Sequence, residues 1–351
     1  MPARPPRSVR GSQIPKPPTA PNHDPRSIFF PASYDQTSPT PLPTLFTIHG
    51  GGFCVGHQRD DDEWNRSFAN RHTTLVVALN YSKAPAAPFP TALHDLEALL
   101  LAVLADPSLP IDPTRQPHSR TALLGFSAGG NLALSLSQLP SIREHPLTPA
   151  AVVSVYGCLD LSVPPHEKLA NRPYKPHLPA PRGNSVDALA TLAPVFDWCY
   201  IPYGQDLRDP LLSPAYAPRA ALPKFVAVVG AELDMLAFES WRFACRLSRE
   251  GGNGRREVPE RREGIVCGGG GGVGRKGRRE LVRGDEKFGF EDGGKEGGVK
   301  WLLVPDVMHG FDNEHIRAMV GGREATEDAV VKTELYVDEM ARWLKQAVWR
   351  V

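Results

Sequence analysis

The chain has 351 residues, enough for one large domain or two ordinary ones with a sizeable buried core. Hydrophobic residues at 41% and charged residues at 23% suit a globular protein, and a formal net charge of +1 argues against nucleic acid or an anionic membrane as a partner. Five scattered cysteines, Cys54, Cys158, Cys199, Cys245 and Cys267, are odd in number and lack C-x-x-C spacing. They read as reduced thiols, not as a disulfide frame or a zinc site.

Residues 1–25 are rich in proline and arginine without the apolar core of a signal peptide, and are expected to be disordered. No stretch approaches the length of a membrane span, so a cytoplasmic location is the expectation. From residue 26 onward, short apolar runs alternate with helical patterns. That alternation predicts an α/β fold with a mostly parallel sheet and helices on both faces, in a single domain over 26–351. The predicted strands are Ile28–Pro31, Thr44–Ile48, Thr74–Asn80, Thr121–Phe126, Ala151–Tyr156, Phe225–Val229 and Lys300–Val304. The predicted helices are Ala92–Leu104, Ala128–Gln138, Ala237–Ser248 and Glu327–Trp349.

Two stretches break the alternation. Residues from about 161 to 222 are rich in proline and aromatics, including Tyr174, Phe196, Trp198, Tyr200 and Tyr203. They read either as an inserted cap walling an apolar pocket or as a long connection. Residues from about 250 to 298 are dense in Gly, Arg, Glu and Lys, with five consecutive glycines after Cys267. They lack the apolar residues to fold alone and read as a flexible surface insertion. An RNA-binding arm is disfavoured because acidic residues interleave the arginines. An insertion foreign to the natural protein is the remaining reading of that stretch.

Chemistry concentrates in four places. Gly125-Phe126-Ser127-Ala128-Gly129 sets a serine between glycines, after a strand and before a helix, which is the pattern of a nucleophile elbow. Upstream, the strand Thr44–Ile48 runs into His49-Gly50-Gly51-Gly52-Phe53, whose unshielded backbone N–H groups suit an oxyanion. A serine hydroxyl needs a base, and the base needs an acid to orient it. On this architecture the order is Ser, acid, His, each following a strand. Asp234, after the strand Phe225–Val229, is the best acid, although an aspartate there also suits a helix N-cap. His309, after the last strand and beside Gly310, is the best base, with His315 its nearest rival.

With these residues assembled, the chain resembles the hormone-sensitive-lipase-like branch of the α/β-hydrolases (carboxylesterase and lipase-like, fold-3 type). The matching segments are His49–Phe53, the GFSAGGN of Gly125–Asn131, Asp234-Met235-Leu236 and His309-Gly310-Phe311. Tyr81–Pro85 through Phe89-Pro90 to Asp95, Phe196-Asp197-Trp198 and Asp209–Pro214 are similar to further family segments. The resemblance implies Ser127 as nucleophile, His309 as general base and then acid, and Asp234 as its orienter. It also implies an oxyanion hole made by the N–H groups of Gly51, Gly52 and Ala128, with no cofactor and no metal.

Departures from the family pattern are Phe126, where the family has an acidic residue, which removes a polar contact near the elbow and is expected to make the site floor more apolar, and Ala86, where it has glutamate. Only 48 residues precede the H-G-G-G motif, so the helices that complete the family's cap look shortened or absent. The expected activity is hydrolysis of small-molecule carboxylic esters with short acyl chains through an acyl-enzyme. Amidase, deacetylase and acyltransferase activity share the same intermediate. A non-catalytic small-molecule receptor is disfavoured because all three triad positions are filled.

Overall fold

The structure is a computed structural model that describes residues 25–115, 118–252, 257–258, 280–294, 296–320 and 322–351. The expected disordered N-terminus and most of the glycine-rich insertion, with Cys267, lie outside the described residues.

Eight strands form one sheet in the order β1-β3-β2-β4-β5-β6-β8-β7. Five of them, β2 (Thr44–Ile48), β3 (Leu75–Leu79), β4 (Thr121–Phe126), β5 (Ala151–Val155) and β6 (Phe225–Ala231), are buried at every position. They pair in parallel with one another and with β8 (Gly297–Val304). Unbroken apolar runs are what parallel strands require when helices cover both faces. Along β2 the side chains alternate: Phe46 and Ile48 join one core cluster and Leu45 the other.

The first cluster holds α2 (Thr91–Leu104), α3 (Ala128–Leu136) and α7 (Ala237–Glu250) on one face of the sheet. The second holds α1 (Asp62–His72) and the C-terminal α9 (Gly322–Trp343), which continues as a π-helical turn over Leu344–Trp349, on the other. Helix α1 goes unpredicted because its sequence is mostly polar. Its buried stripe is only Trp64, Phe68 and Ala69, with Asn65 beside them.

The two sheet edges are antiparallel. Strand β1 (Arg26–Phe29) pairs with β3, and β7 (Gly289–Gly294) pairs with β8. Strand β7 corrects the reading of residues 250–298 as flexible surface insertion throughout, since the end of that stretch is sheet. An edge strand is paired on one side only and needs little apolar sequence. Here Phe290 is paired with Trp301 in the ladder, and the buried Lys300, on the face covered by α9, bridges Glu291 and Glu339 at 3.1 and 2.7 Å.

Between β5 and β6 the chain forms the helices α5 (Pro165–Ala170) and α6 (Leu189–Tyr200), then 3-10 turns at Pro214–Tyr216 and Arg219–Ala221. Among the described residues, the short helices α4 (Pro140–Arg143) and α8 (Glu314–Val320) are also present. Helix α6 carries an internal Pro194 and leaves Leu192, Val195 and Trp198 exposed, so it shows no amphipathic period to read from sequence. Among the described residues, no helix is long and apolar enough to cross a membrane.

Candidate active site

Ser127, Asp234, His309 and the glycine run after His49 follow the C-terminal ends of parallel strands, where ligands bind in open α/β sheets, whereas His315 lies in α8. Strand β4 ends at Phe126 and α3 begins at Ala128, leaving Ser127 to make the turn alone at φ 54°, ψ −118°. That backbone conformation costs ~1–3 kcal/mol in a non-glycine residue. The surroundings impose it: Ser127 N donates to Val155 O of β5 at 2.9 Å. The flanking glycines are steric necessities. A Cβ on Gly125 would sit 1.9 Å from Gly129 O, and one on Gly129 would sit 2.1 Å from Ile48 O.

The Ser127 hydroxyl meets His309 Nε2 at 2.8 Å, and His309 Nδ1 meets Asp234 Oδ2 at 2.7 Å. An ionised carboxylate only accepts, so the Nδ1 proton donates to Asp234 and the neutral Nε2 is left to accept from the serine. Asp234 is buried, and its other oxygen accepts from Leu236 N at 2.9 Å. Asp234 is thus not the helix N-cap: that position is Leu236, without a side-chain cap bond, and the second Asp234 oxygen instead closes a turn just ahead of α7. Burial pulls the His309 imidazole down, but the charge and hydrogen bond of Asp234 outweigh it and hold the group above its ordinary value. The Tyr156 ring packs 4.8 Å from His309, and its hydroxyl donates to the buried Asp312.

Gly52 and Ala128 line one pocket with Ser127. Gly52 has φ +57°, and a Cβ there would fall 2.2 Å from the Phe196 ring, so only glycine admits this approach of α6. Gly51 lies one residue back, with its carbonyl accepting from Cys54 N and Val55 N. His49 braces the loop: its ring stacks on Tyr81 at 4.5 Å and its Nδ1 lies 2.7 Å from Gly50 O. Burial, reinforced by the charge of Lys83, lowers His49 to about 4, so it adds no charge near neutral pH. Phe126 does not form the pocket floor, as its departure from the family pattern suggested. It is buried against Trp64 and Tyr156 on the opposite face of the sheet.

A set of ions from the segment between α5 and α6 was invisible in the sequence. The Lys175 ammonium bridges Glu232 and Asp306, at 2.6 Å each, and Asp306 N donates to Glu232 at 2.8 Å. Arg172 Nε donates to Leu233 O at 2.6 Å, and Asp187 accepts from Met235 N at 3.0 Å. Arg182 reaches Asp306 O and Asp328. This segment thus holds residues on both sides of Asp234 and the residue three before His309. Among the described residues, no group of three or more His, Cys, Asp or Glu side chains is arranged to hold a metal ion.

The strand order, the elbow and the hydrogen-bonded Ser-His-Asp chain define a class of protein, and sequence comparison agrees with it. A family profile described as alpha/beta hydrolase fold matches residues 45–260, and the chain belongs to this family, in its hormone-sensitive-lipase-like branch. An arylesterase of Saccharolobus solfataricus is 31% identical over 211 residues, 58% of this chain and 61% of that protein. An arylacetamide deacetylase of Oryctolagus cuniculus is 33% identical over 138 residues, 37% of this chain and 33% of that protein. In both cases the match takes in less than two-thirds of the relative's length. The solved structure of a hyperthermophilic esterase from Pyrobaculum calidifontis shares the fold, with a TM-score of 0.60 at 22% identity, covering 88% of this chain and 78% of that one.

Proposed function

We propose that this chain is a serine carboxylic-ester hydrolase that works through an acyl-enzyme on Ser127. The carrying observation is the unbroken hydrogen-bond chain Asp234–His309–Ser127 at the wall of a pocket. Ser127 Oγ attacks the ester carbonyl carbon while His309 Nε2 takes the hydroxyl proton. Negative charge moves to the carbonyl oxygen, and the N–H groups of Gly51, Gly52 and Ala128 are assigned to hold it, each donor lowering the barrier by about 3–4 kcal/mol. Collapse of the intermediate breaks the ester C–O bond, and the alcohol leaves with the proton held by His309. Water then enters, gives its proton to His309, and releases the acid by the same route in reverse. Asp234 fixes the His309 tautomer and stabilises the imidazolium formed in each half-reaction.

The pocket encloses a cavity of about 40 Å³. One water occupies ~10–15 Å³ of such space, so the pocket suits a small acyl group of a few heavy atoms. The names of the similar proteins, an arylesterase and an arylacetamide deacetylase, agree with small acyl esters of aromatic alcohols. In this reading residues 26–351 form one domain and residues of about 161–222 are its cap. The test is steady-state hydrolysis of aryl acetate, butyrate and octanoate esters by the full chain. Acetate or butyrate should be preferred over octanoate, and Ser127→Ala should lower kcat by ~10⁴-fold or more. Activity retained in Ser127→Ala overturns the assignment.

A further inference from the structure

The pocket beside Ser127 is apolar over most of its wall, through Phe53, Leu189, Ala193, Phe196 and Met235, yet it also presents charge. Lys168 of α5 lines it with an almost buried side chain, its ammonium 2.7 Å from Glu239 Oε2 and 3.8 Å from Cys158 Sγ. The other Glu239 oxygen accepts from Leu159 N at 2.7 Å and Asp160 N at 3.3 Å. The Lys168–Glu239 pair is therefore balanced from within, as a buried pair must be.

Asp197 of α6 is not balanced in this way. It is half-buried and lines the same pocket, and its carboxylate has no hydrogen-bond or ion-pair partner among the described residues. Burial raises it, and Lys168 is the charge that opposes the rise without pairing to it. Taking a carboxylate partly out of water is unfavourable unless something donates to it. A leucine would fill the same wall without that cost.

We propose that Asp197 and Lys168 determine substrate specificity, selecting esters whose group in this pocket carries a hydroxyl. The inference rests on the esterase reading above. A hydroxyl is the group that fits both charges, donating its proton to Asp197 while its oxygen accepts from Lys168. An alkyl group leaves Asp197 without a donor. A protonated amine satisfies Asp197 but meets the positive charge of Lys168.

The test compares kcat/KM for three p-nitrophenyl esters of matched length, the butyrate, the 3-hydroxybutyrate and the 3-aminobutyrate, with wild type, Asp197→Leu and the near-isosteric Asp197→Asn. Labelling of Ser127 by a fluorophosphonate is measured in each protein. Wild type should favour the hydroxy ester over the butyrate by about tenfold or more, since a site built to bond a hydroxyl discriminates against the analogue lacking it. That ratio should fall toward unity in Asp197→Leu and take an intermediate value in Asp197→Asn. A wild-type enzyme that labels and hydrolyses butyrate with no hydroxyl preference overturns this inference alone. So does a ratio unchanged in an Asp197→Leu protein that still labels. Preference for the amino ester overturns the role given to Lys168. Failure of wild type both to label and to hydrolyse any of the three overturns the esterase reading itself.

Discussion

The two sides of the site are held by different physics. On the sheet side, Ser127, Asp234 and His309 stand on turns fixed by strands β4, β6 and β8, whose ladders set their spacing through backbone hydrogen bonds. On the side of residues 161–222, the proposed cap, position depends on buried side-chain ions: Lys175 on Glu232 and Asp306, Arg182 on Asp328, and Lys168 on Glu239. Backbone ladders tolerate sequence change as long as strands form. A buried ion pair fails when either partner is lost, because the survivor is left charged in a low dielectric. The difference suggests that chemistry is built into the part of the fold that sequence change disturbs least, and selectivity into the part that a single substitution can rewire.

That contrast can be broken most severely on the sheet side. Asp234→Asn should lower kcat by about 10³–10⁴-fold with little change in KM, because the amide favours the wrong His309 tautomer. Single-turnover kinetics on an aryl acetate would show it, and a loss below tenfold would remove Asp234 from the assigned role. Gly52→Ala tests the joint between the two sides. Its Cβ would meet the Phe196 ring at 2.2 Å while the residue stays at φ +57°, so kcat/KM should drop about a hundredfold. Near-wild-type kinetics in that variant would show that Gly52 and α6 are free to move apart.

On the cap side, Lys175→Met leaves Glu232 and Asp306 facing each other, which should cost about 3–5 kcal/mol of stability. At a temperature where the variant remains folded, kcat should still fall about tenfold while KM changes less, with partial rescue by Lys175→Arg. Urea unfolding measured beside the kinetics separates the two effects. A loss of stability with kcat unchanged would confine Lys175 to a structural role.

The smallest effect expected is in pH. In the proposed mechanism neutral His309 is the base, and its protonated form is favoured by Asp234, so kcat/KM should rise with pH through a midpoint above the ordinary imidazole value of 6.5. Activity is thus lost as pH falls through that midpoint. A midpoint below 6.5 would contradict the balance of burial and charge described for His309.

What was legible in the sequence follows the same division. The elbow glycines, the glycine run after His49, and an acid and a histidine after successive strands are local signals, each forced by backbone geometry or chemistry. Five fully buried strands carried their own apolar signature. Strand β7 did not, because glycine and charge dominate it and its pairing to β8 supplies what its own residues lack. The ions on the cap side left no trace: Lys175 lies 131 residues from Asp306, and neither spacing nor composition announces such a pair. Phe126 looked from sequence like part of the pocket floor. Phe126 instead closes strand β4, and the two-residue alternation along that strand puts it with Ala122 and Leu124 on the far face.

The central claim, that Ser127 is an activated nucleophile, is tested most directly by intact-mass measurement of the full chain treated with a small fluorophosphonate, followed by peptide mapping. One phosphonyl group should add per chain, on Ser127, and its rate should fall by at least a hundredfold in His309→Ala and vanish in Ser127→Ala. No adduct, an adduct elsewhere, or undiminished labelling of Ser127 without His309 would contradict it.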